Sequence, residues 1–269
     1  MGKWDTVGQC LVNHSANDIL VIGAAPFYFL DYVACEKLNP EIVEQIVKGM
    51  TIACKELDMP LIKGETAEMP GVYAKGEYDL AGTITGIVDR EKFIDGKGIA
   101  KDDVLIGLES NGLHTNGYSL ARKVLFDIAG YSVSDYLEEL KMTIGEELLR
   151  VHKCYSKPVL DLYHSHKIKG IAHITGGGLL ENIPRVMPQG YGVIIEKSKI
   201  DIQPIFHLIQ EKGSVPEEDM FRTFNMGVGL VLIVAPDHVE EMINKLKEKY
   251  NQNASVIGKV VHGEGVELV

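Results

Sequence analysis

Three consecutive glycines, Gly176-Gly177-Gly178, stand between the apolar run Gly170 to Ile174 and a second apolar stretch that begins at Leu179. Glycine ahead of a helix costs conformational entropy, so a run of three is kept where the backbone must approach something closely. The flanking runs read as a strand and a helix. A strand-to-helix turn of this kind suits a phosphate, although its spacing is neither a Walker A loop nor GxGxxG. The layout occurs a second time. Ser110 to Ser119 follows the strand Val104 to Leu108 and opens a helix over Gly117 to Ile128. Within it, His114 and Asn116 are candidates to hydrogen-bond a substrate; the plainer reading makes Asn116 a helix cap.

A third polar segment, Gly64-Glu65-Thr66-Ala67-Glu68-Met69-Pro70-Gly71, follows Met59-Pro60-Leu61-Ile62. It reads as a turn at the end of a buried strand over Pro60 to Lys63, placing two carboxylates and a hydroxyl where α/β proteins keep their chemistry. Asp18, Asp31, Glu65 and Glu68 are candidate magnesium ligands, because magnesium takes carboxylate and phosphate oxygens. His14 and Asp18 stand at i, i+4, which suits a metal pair but equally an ordinary helix-face contact. His152, His164, His166, His207, His238 and His262 have no patterned neighbours and read as surface or packing residues.

The remaining elements alternate. Helices are expected over Thr6 to Ile22, closed by Gly23, and from the Asn39-Pro40 cap to about Leu57. Strands are expected over Pro26 to Tyr32 and Tyr78 to Asp89. Arg90 to Asp103 is the expected junction between domains 1–97 and 98–269. Beyond it come a helical stretch from Ile144 to His164 broken near Pro158, a strand over Gly192 to Glu196 and a helix over Ile202 to Glu211. A strand over Met226 to Ala235, a helix over His238 to Tyr250 and a last strand over Ser255 to Val261 complete the pattern. The Gly227-x-Gly229 pair is compatible with relief of packing, but its spacing alone does not settle its role.

The formal net charge of −11 argues against a nucleic-acid partner held through its phosphates. No apolar run is long enough to span a membrane, and the four cysteines lack metal spacing, so a reduced cytoplasmic setting is expected.

Taken in order, Asn17 to Leu20, Pro26 to Tyr32, Gly64 to Gly71, Tyr78 to Gly82, Gly112 to Leu120, His173 to Arg185 and Arg222 to Gly229 resemble aminoimidazole ribonucleotide synthetase, also called phosphoribosylformylglycinamidine cyclo-ligase. The resemblance spans essentially the whole chain. It implies a mixed α/β, two-domain fold and ATP-dependent closure of an imidazole ring on formylglycinamidine ribonucleotide. It also implies ATP and magnesium as cofactors and a homodimer built through the N-terminal sheets. By resemblance Asp18 and Glu65 are metal and nucleotide ligands, with Asn17 and Thr66 beside the nucleotide. His114 and Asn116 fall near the reacting centre, and Thr175, Gly176, Gly177 and Gly178 on a substrate phosphate.

Two residues depart from the family's wording: Lys63 replaces the usual first glycine of a Gly-Gly-Glu-Thr motif, and Ala25 stands where glutamate is common. In the family a glycine-rich loop and an Asp-Gly-Val-Gly-Thr-Lys motif precede the position of Met1. The N-terminal sheet domain is therefore expected to be truncated by at least one strand. The competing expectation is a non-catalytic homologue that holds a nucleotide or phosphoribosyl ligand.

Overall fold

The computed structural model describes residues 1–165 and 167–269, so the expectation for His166 lies outside the described residues. The N-terminal part contains α1 (Asp5–Leu20), β1 (Ala25–Cys35), α2 (Pro40–Glu56), β2 (Leu61–Glu68) and β3 (Tyr78–Ile87). Asn39 caps α2 by accepting from the Glu41 N–H, with Pro40 in the first turn where its missing donor costs nothing. The sheet runs β2-β1-β3, with β1 parallel to β2 and antiparallel to β3. Phe29 and Val33 alternate toward α1 and α2, where they join Val12, Ile46, Met50 and Ala53 in one core.

The acidic segment is not a turn. Parallel pairing with β1 continues through Tyr32–Glu65 to Cys35–Glu68, so the chain stays extended to Glu68, and β2 is a mostly exposed edge strand rather than a buried one.

The second sheet has the order β11-β8-β10-β4-β9-β7. Its elements follow the chain as β4 (Val104–Glu109), α3 (Tyr118–Arg122, continued as a π-helical turn to Ile128), the small hairpin β5 (Tyr136–Leu137) and β6 (Met142–Thr143), α4 (Ile144–Leu148), α5 (Ser156–Ser165), β7 (Ile168–His173), α6 (Gly178–Asn182), β8 (Tyr191–Ile195), α7 (Pro204–Gly213), α8 (Glu217–Thr223), β9 (Val228–Val234), α9 (Val239–Tyr250), β10 (Ala254–His262) and β11 (Val266–Leu268). Every residue of β9 is buried, as a strand covered on both faces requires. Val231 and Ile233 face one core with Phe206, Phe221 and Phe224; Leu230 and Leu232 face another with Val159, Leu162 and Met242.

Leu20 of α1 belongs to that second core, so the first helix anchors in the C-terminal layer.

Three differences from the sequence reading bear on the site. The break in the expected helix over 144–164 falls at 149–155, ahead of Pro158, which sits in the first turn of α5 where proline is tolerated. The helix α8 was not expected, and β11 follows the strand expected to be last.

Candidate functional site

α1, the loop after β4, the irregular segment 149–155 and the end of β7 converge on one polar seam. Asn13, His14, Asn17 and Asp18 share a face of α1, as i, i+1, i+4 and i+5 spacing dictates. Asn13 Nδ2 donates to the His152 carbonyl (2.8 Å) and Asn17 Nδ2 to the Lys153 carbonyl (2.8 Å), while the Tyr155 N–H donates to Asn17 Oδ1 (2.8 Å). These bonds give the non-helical backbone at 152–155 the partners it lacks locally.

Asp18 is clasped by two histidines, with His173 Nδ1 at 2.7 Å from Oδ1 and His14 Nε2 at 3.3 Å from Oδ2. Partial burial pushes the Asp18 carboxyl up, but the hydrogen bonds from His14 and His173 outweigh it and hold it well below the usual carboxylate range. Burial pushes His173 down, partly offset by Asp18. His152 Nε2 lies 3.2 Å from His173 Nε2, and its Nδ1 lies 3.2 Å from Thr115 Oγ1. Thr115 Oγ1 also faces His14 Nδ1 at 3.1 Å, which closes a ring of five side chains: His14, Thr115, His152, His173 and Asp18.

The loop after β4 reaches the seam through unusual backbone. His114 (φ 52°) and Thr115 (φ 62°) both adopt left-handed geometry, which a β-branched residue resists. His114 is fully buried and stacked on His152 at 4.2 Å between centroids. Its Nε2 accepts from the Asn111 N–H (2.8 Å) and the Lys153 N–H (3.3 Å). Burial, then the nearby positive charge, holds it neutral. The structure thus gives His114 a framework role, binding backbone rather than facing open space. Asn116, half-buried, donates to the His114 carbonyl (2.7 Å) from within the loop rather than at the cap position, which Gly117 takes.

The glycine triplet divides by position. A Cβ on Gly178 would overlap the Phe221 carbonyl oxygen, so this glycine answers to packing against α8. Gly177 needs its φ of 98° to turn the chain. Gly176 alone stands open, and a Cβ there would lie 3.5 Å from Asn116 Oδ1, so the two glycine loops meet at this point. Asn182 ties the loop from below, donating to the carbonyls of Thr175 (3.3 Å), Gly176 (3.2 Å) and Gly178 (2.8 Å). Gly227 and Gly229 do relieve packing: a Cβ on Gly229 would overlap Tyr155 Oη and come within 2.8 Å of His114 Cε1.

Asn17 is fully buried, so it meets no nucleotide directly. Glu65 and Thr66 lie exposed on β2. Glu65 pairs with Tyr32, whose neighbours Asp31 and Val33 alternate toward the helices, so Glu65 points to the sheet face opposite α1 and away from Asp18. The magnesium pair expected from Asp18 and Glu65 is therefore not assembled within the chain. Asp18 by itself fits such an ion: it is ionised and half-exposed. The sequence reading missed His152, which sits at the centre of the seam in an irregular segment without periodicity. The His14–Asp18 spacing was the one local sign.

A C-terminal domain whose sheet is covered by helices on both faces, with glycine loops at its strand ends and a polar seam joining it to a helix-backed sheet, defines the class. The chain belongs to the AIR synthase related protein family: its N-terminal domain matches residues 2–88 and its C-terminal domain residues 100–269. Among individual relatives it is similar to the phosphoribosylformylglycinamidine cyclo-ligase of Carboxydothermus hydrogenoformans, at 50% identity over 98% of this chain and 76% of that protein. Its fold is shared with Escherichia coli HypE (TM-score 0.73, 19% identity, 97% of this chain and 76% of that one). A hydrogenase maturation protein HypE in complex with ATP is also similar (TM-score 0.69, 17% identity, 94% of this chain and 70% of that one).

Proposed function

We propose that this chain is a phosphoribosylformylglycinamidine cyclo-ligase, which closes the ring of formylglycinamidine ribonucleotide to aminoimidazole ribonucleotide in purine biosynthesis and releases ADP and phosphate. The observation that carries this reading is the 50% identity over 98% of the chain to a cyclo-ligase. ATP as the phosphoryl donor is supported by the same relative and by the ATP complex of a protein with this fold. In the reaction the substrate's formyl oxygen takes the γ-phosphoryl group, a neighbouring nitrogen attacks the activated carbon, and the oxygen leaves as phosphate.

The geometry supports a division of labour. Asp18, held ionised by His14 and His173, presents a fixed negative charge at the seam's mouth. It would hold magnesium travelling with the nucleotide, which neutralises charge developing on the transferred group. Asn17 positions Asp18 by tying α1 to 153–155. Asn116 and the Thr175–Gly178 loop, which meet at Gly176, form the substrate side, the loop N–H groups receiving its phosphate. His114 acts as a positioning residue through the Asn111 and Lys153 backbone. Glu65 and Thr66, on the exposed β2 edge, are assigned to a separate part of the nucleotide.

The domain division at 1–97 and 98–269 is kept, as is a cytoplasmic setting. Among the described residues no helix is long and apolar enough to cross a membrane. The sheet face opposite α1 and α2 carries Tyr28, Leu30, Tyr32 and Ala81, and we assign it to pairing with a second copy. ADP release by the purified chain, with ATP and magnesium, tests the function. Release that requires formylglycinamidine ribonucleotide supports it; ADP formation unaffected by that substrate, or binding without turnover, refutes it.

A further inference from the structure

Among the described residues, one group of three side chains brings metal-ligating atoms together: His14, His152 and His173 each place a ligand atom within 4.8 Å of the others. Hydrogen-bond accounting fixes what two of these nitrogens carry. The Asn17 amide is oriented by the Tyr155 N–H on its oxygen and the Lys153 carbonyl on its nitrogen. Its second amide hydrogen faces His152 Nε2 at 3.2 Å, so that nitrogen bears a lone pair. On the other side of the ring, His152 Nδ1 faces Thr115 Oγ1, whose hydrogen is directed to the His114 carbonyl at 2.6 Å; Nδ1 is therefore the protonated nitrogen. His173 Nδ1 donates to the Asp18 carboxylate, which leaves the Nε2 of a neutral His173 bare.

These two unprotonated nitrogens lie 3.2 Å apart inside a buried seam, and the 3.2 Å contact from the Asn17 amide to His152 Nε2 is the bond that a cation bound there would displace. A metal fits the spacing: at zinc–nitrogen distances of ~2.0–2.1 Å, a nitrogen separation of 3.2 Å corresponds to an angle of about 100°, close to tetrahedral. His14, 30% exposed on α1, meets Thr115 Oγ1 through Nδ1 at 3.1 Å and Asp18 Oδ2 through Nε2 at 3.3 Å, and supplying the third nitrogen exchanges one of these long contacts for the metal. The surroundings are those of a histidine metal site, where the non-ligating nitrogens are held by carboxylates and hydroxyls. Here Asp18 holds His173 and Thr115 holds His152.

We propose that His14, His152 and His173 form a tri-histidine site for a divalent transition metal of the zinc class, which pins α1 to the C-terminal domain. An all-imidazole set selects zinc, cobalt or nickel over magnesium, so this site is separate from any ion travelling with ATP. It does not rest on the cyclo-ligase reading. Two of its ligands come from the C-terminal domain and one from the N-terminal helix, so the metal fixes the relation between the two units at the place where Asp18 is presented.

The test uses the full chain, stripped with a chelator and titrated with zinc against a chromophoric competitor, then with cobalt followed by visible absorption. Stoichiometric zinc uptake, an intense tetrahedral cobalt spectrum and a raised Tm in zinc are expected. Asp18→Asn, which removes the carboxylate behind His173, is expected to weaken zinc binding about 10–100-fold and alter the cobalt spectrum. His14→Gln and His152→Gln should each weaken it at least as much, about 100-fold. His152 is fully buried, so His14→Gln is the decisive variant, its folding checked by Tm in chelator. No zinc uptake by the parent chain, or uptake unchanged in a folded His14→Gln variant, overturns the proposal. Either result leaves the ADP-release test untouched.

Discussion

Replacing Asn17 with alanine should detach α1 from the C-terminal domain. The side chain is fully buried, and its loss strands the Tyr155 N–H and the Lys153 carbonyl, each bonded to it at 2.8 Å. A buried polar group left without a partner costs about 1–3 kcal/mol, so the two together cost roughly 2–6 kcal/mol. For a chain of this size that lowers Tm by on the order of 10 °C. Urea unfolding should be followed by far-ultraviolet circular dichroism and by fluorescence of Trp4, the single tryptophan, which packs on Tyr78 in the N-terminal unit. A lower midpoint by both probes is expected, with the Trp4 transition moving first as the N-terminal unit loses its anchor. Ser15→Ala, which removes only a bond to the Leu11 carbonyl within the same helix, serves as the control and should stay within about 0.5 kcal/mol of the parent. If Asn17→Ala also stays within about 1 kcal/mol of the parent, the seam is not what joins the units.

Other consequences follow from the same geometry. Gly178→Ala places a methyl group into the Phe221 carbonyl at a φ of 58° and should cost several kcal/mol, read as a lost folded fraction at ~37 °C; Gly176→Ala meets open space, should fold normally, and should raise KM for the ribonucleotide if that loop receives its phosphate. Burial, with help from the Asp31 charge, pushes the Cys54 thiol up to about 11, so its alkylation at pH 8 should be slow and rise about tenfold per pH unit. The same shift fixes a sign for stability. A group whose folded pKa is raised stabilises below its unfolded value and loses that contribution as pH climbs. Cys54 should therefore cost about 1.4 kcal/mol per unit between pH 9 and 11, measurable as a falling urea midpoint that Cys54→Ala flattens. Tyr32→Lys tests the pairing proposed for the outer face of the N-terminal sheet: light scattering should report a dimer for the parent and a monomer for the variant, and an unchanged mass would remove that face from the interface.

The fold was legible wherever the deciding interaction was local. The Asn39-Pro40 start of α2 and the Gly23 end of α1 are readable because cap and turn lie within a few residues of what they satisfy. Gly64 to Glu68 was misread because its extended state is imposed by β1, about thirty residues away, and no composition rule reports a parallel partner. The break at 149–155 was placed too late for a related reason: Pro158 signals a boundary but sits comfortably in the first turn of α5, while the backbone before it is held open by Asn13 and Asn17 from across the molecule. That also hid His152. The two glycine loops were correctly seen as strand-end features, but only the structure separates Gly178, fixed by α8, from Gly176, which faces Asn116. His114 carried the chemistry in the sequence reading; in the fold its Nε2 accepts from the Asn111 and Lys153 N–H groups, and Asp18 with its two histidines stands at the same seam.

The most direct test of the function assigned here follows the fate of one atom. Formylglycinamidine ribonucleotide carrying isotopically labelled oxygen in its formyl group should be turned over with ATP and magnesium, and the products resolved by mass spectrometry. The label should leave in inorganic phosphate, one atom per aminoimidazole ribonucleotide formed, because that oxygen is the one phosphorylated before the ring closes. Label recovered in water, or phosphate released without ring closure, would contradict that assignment.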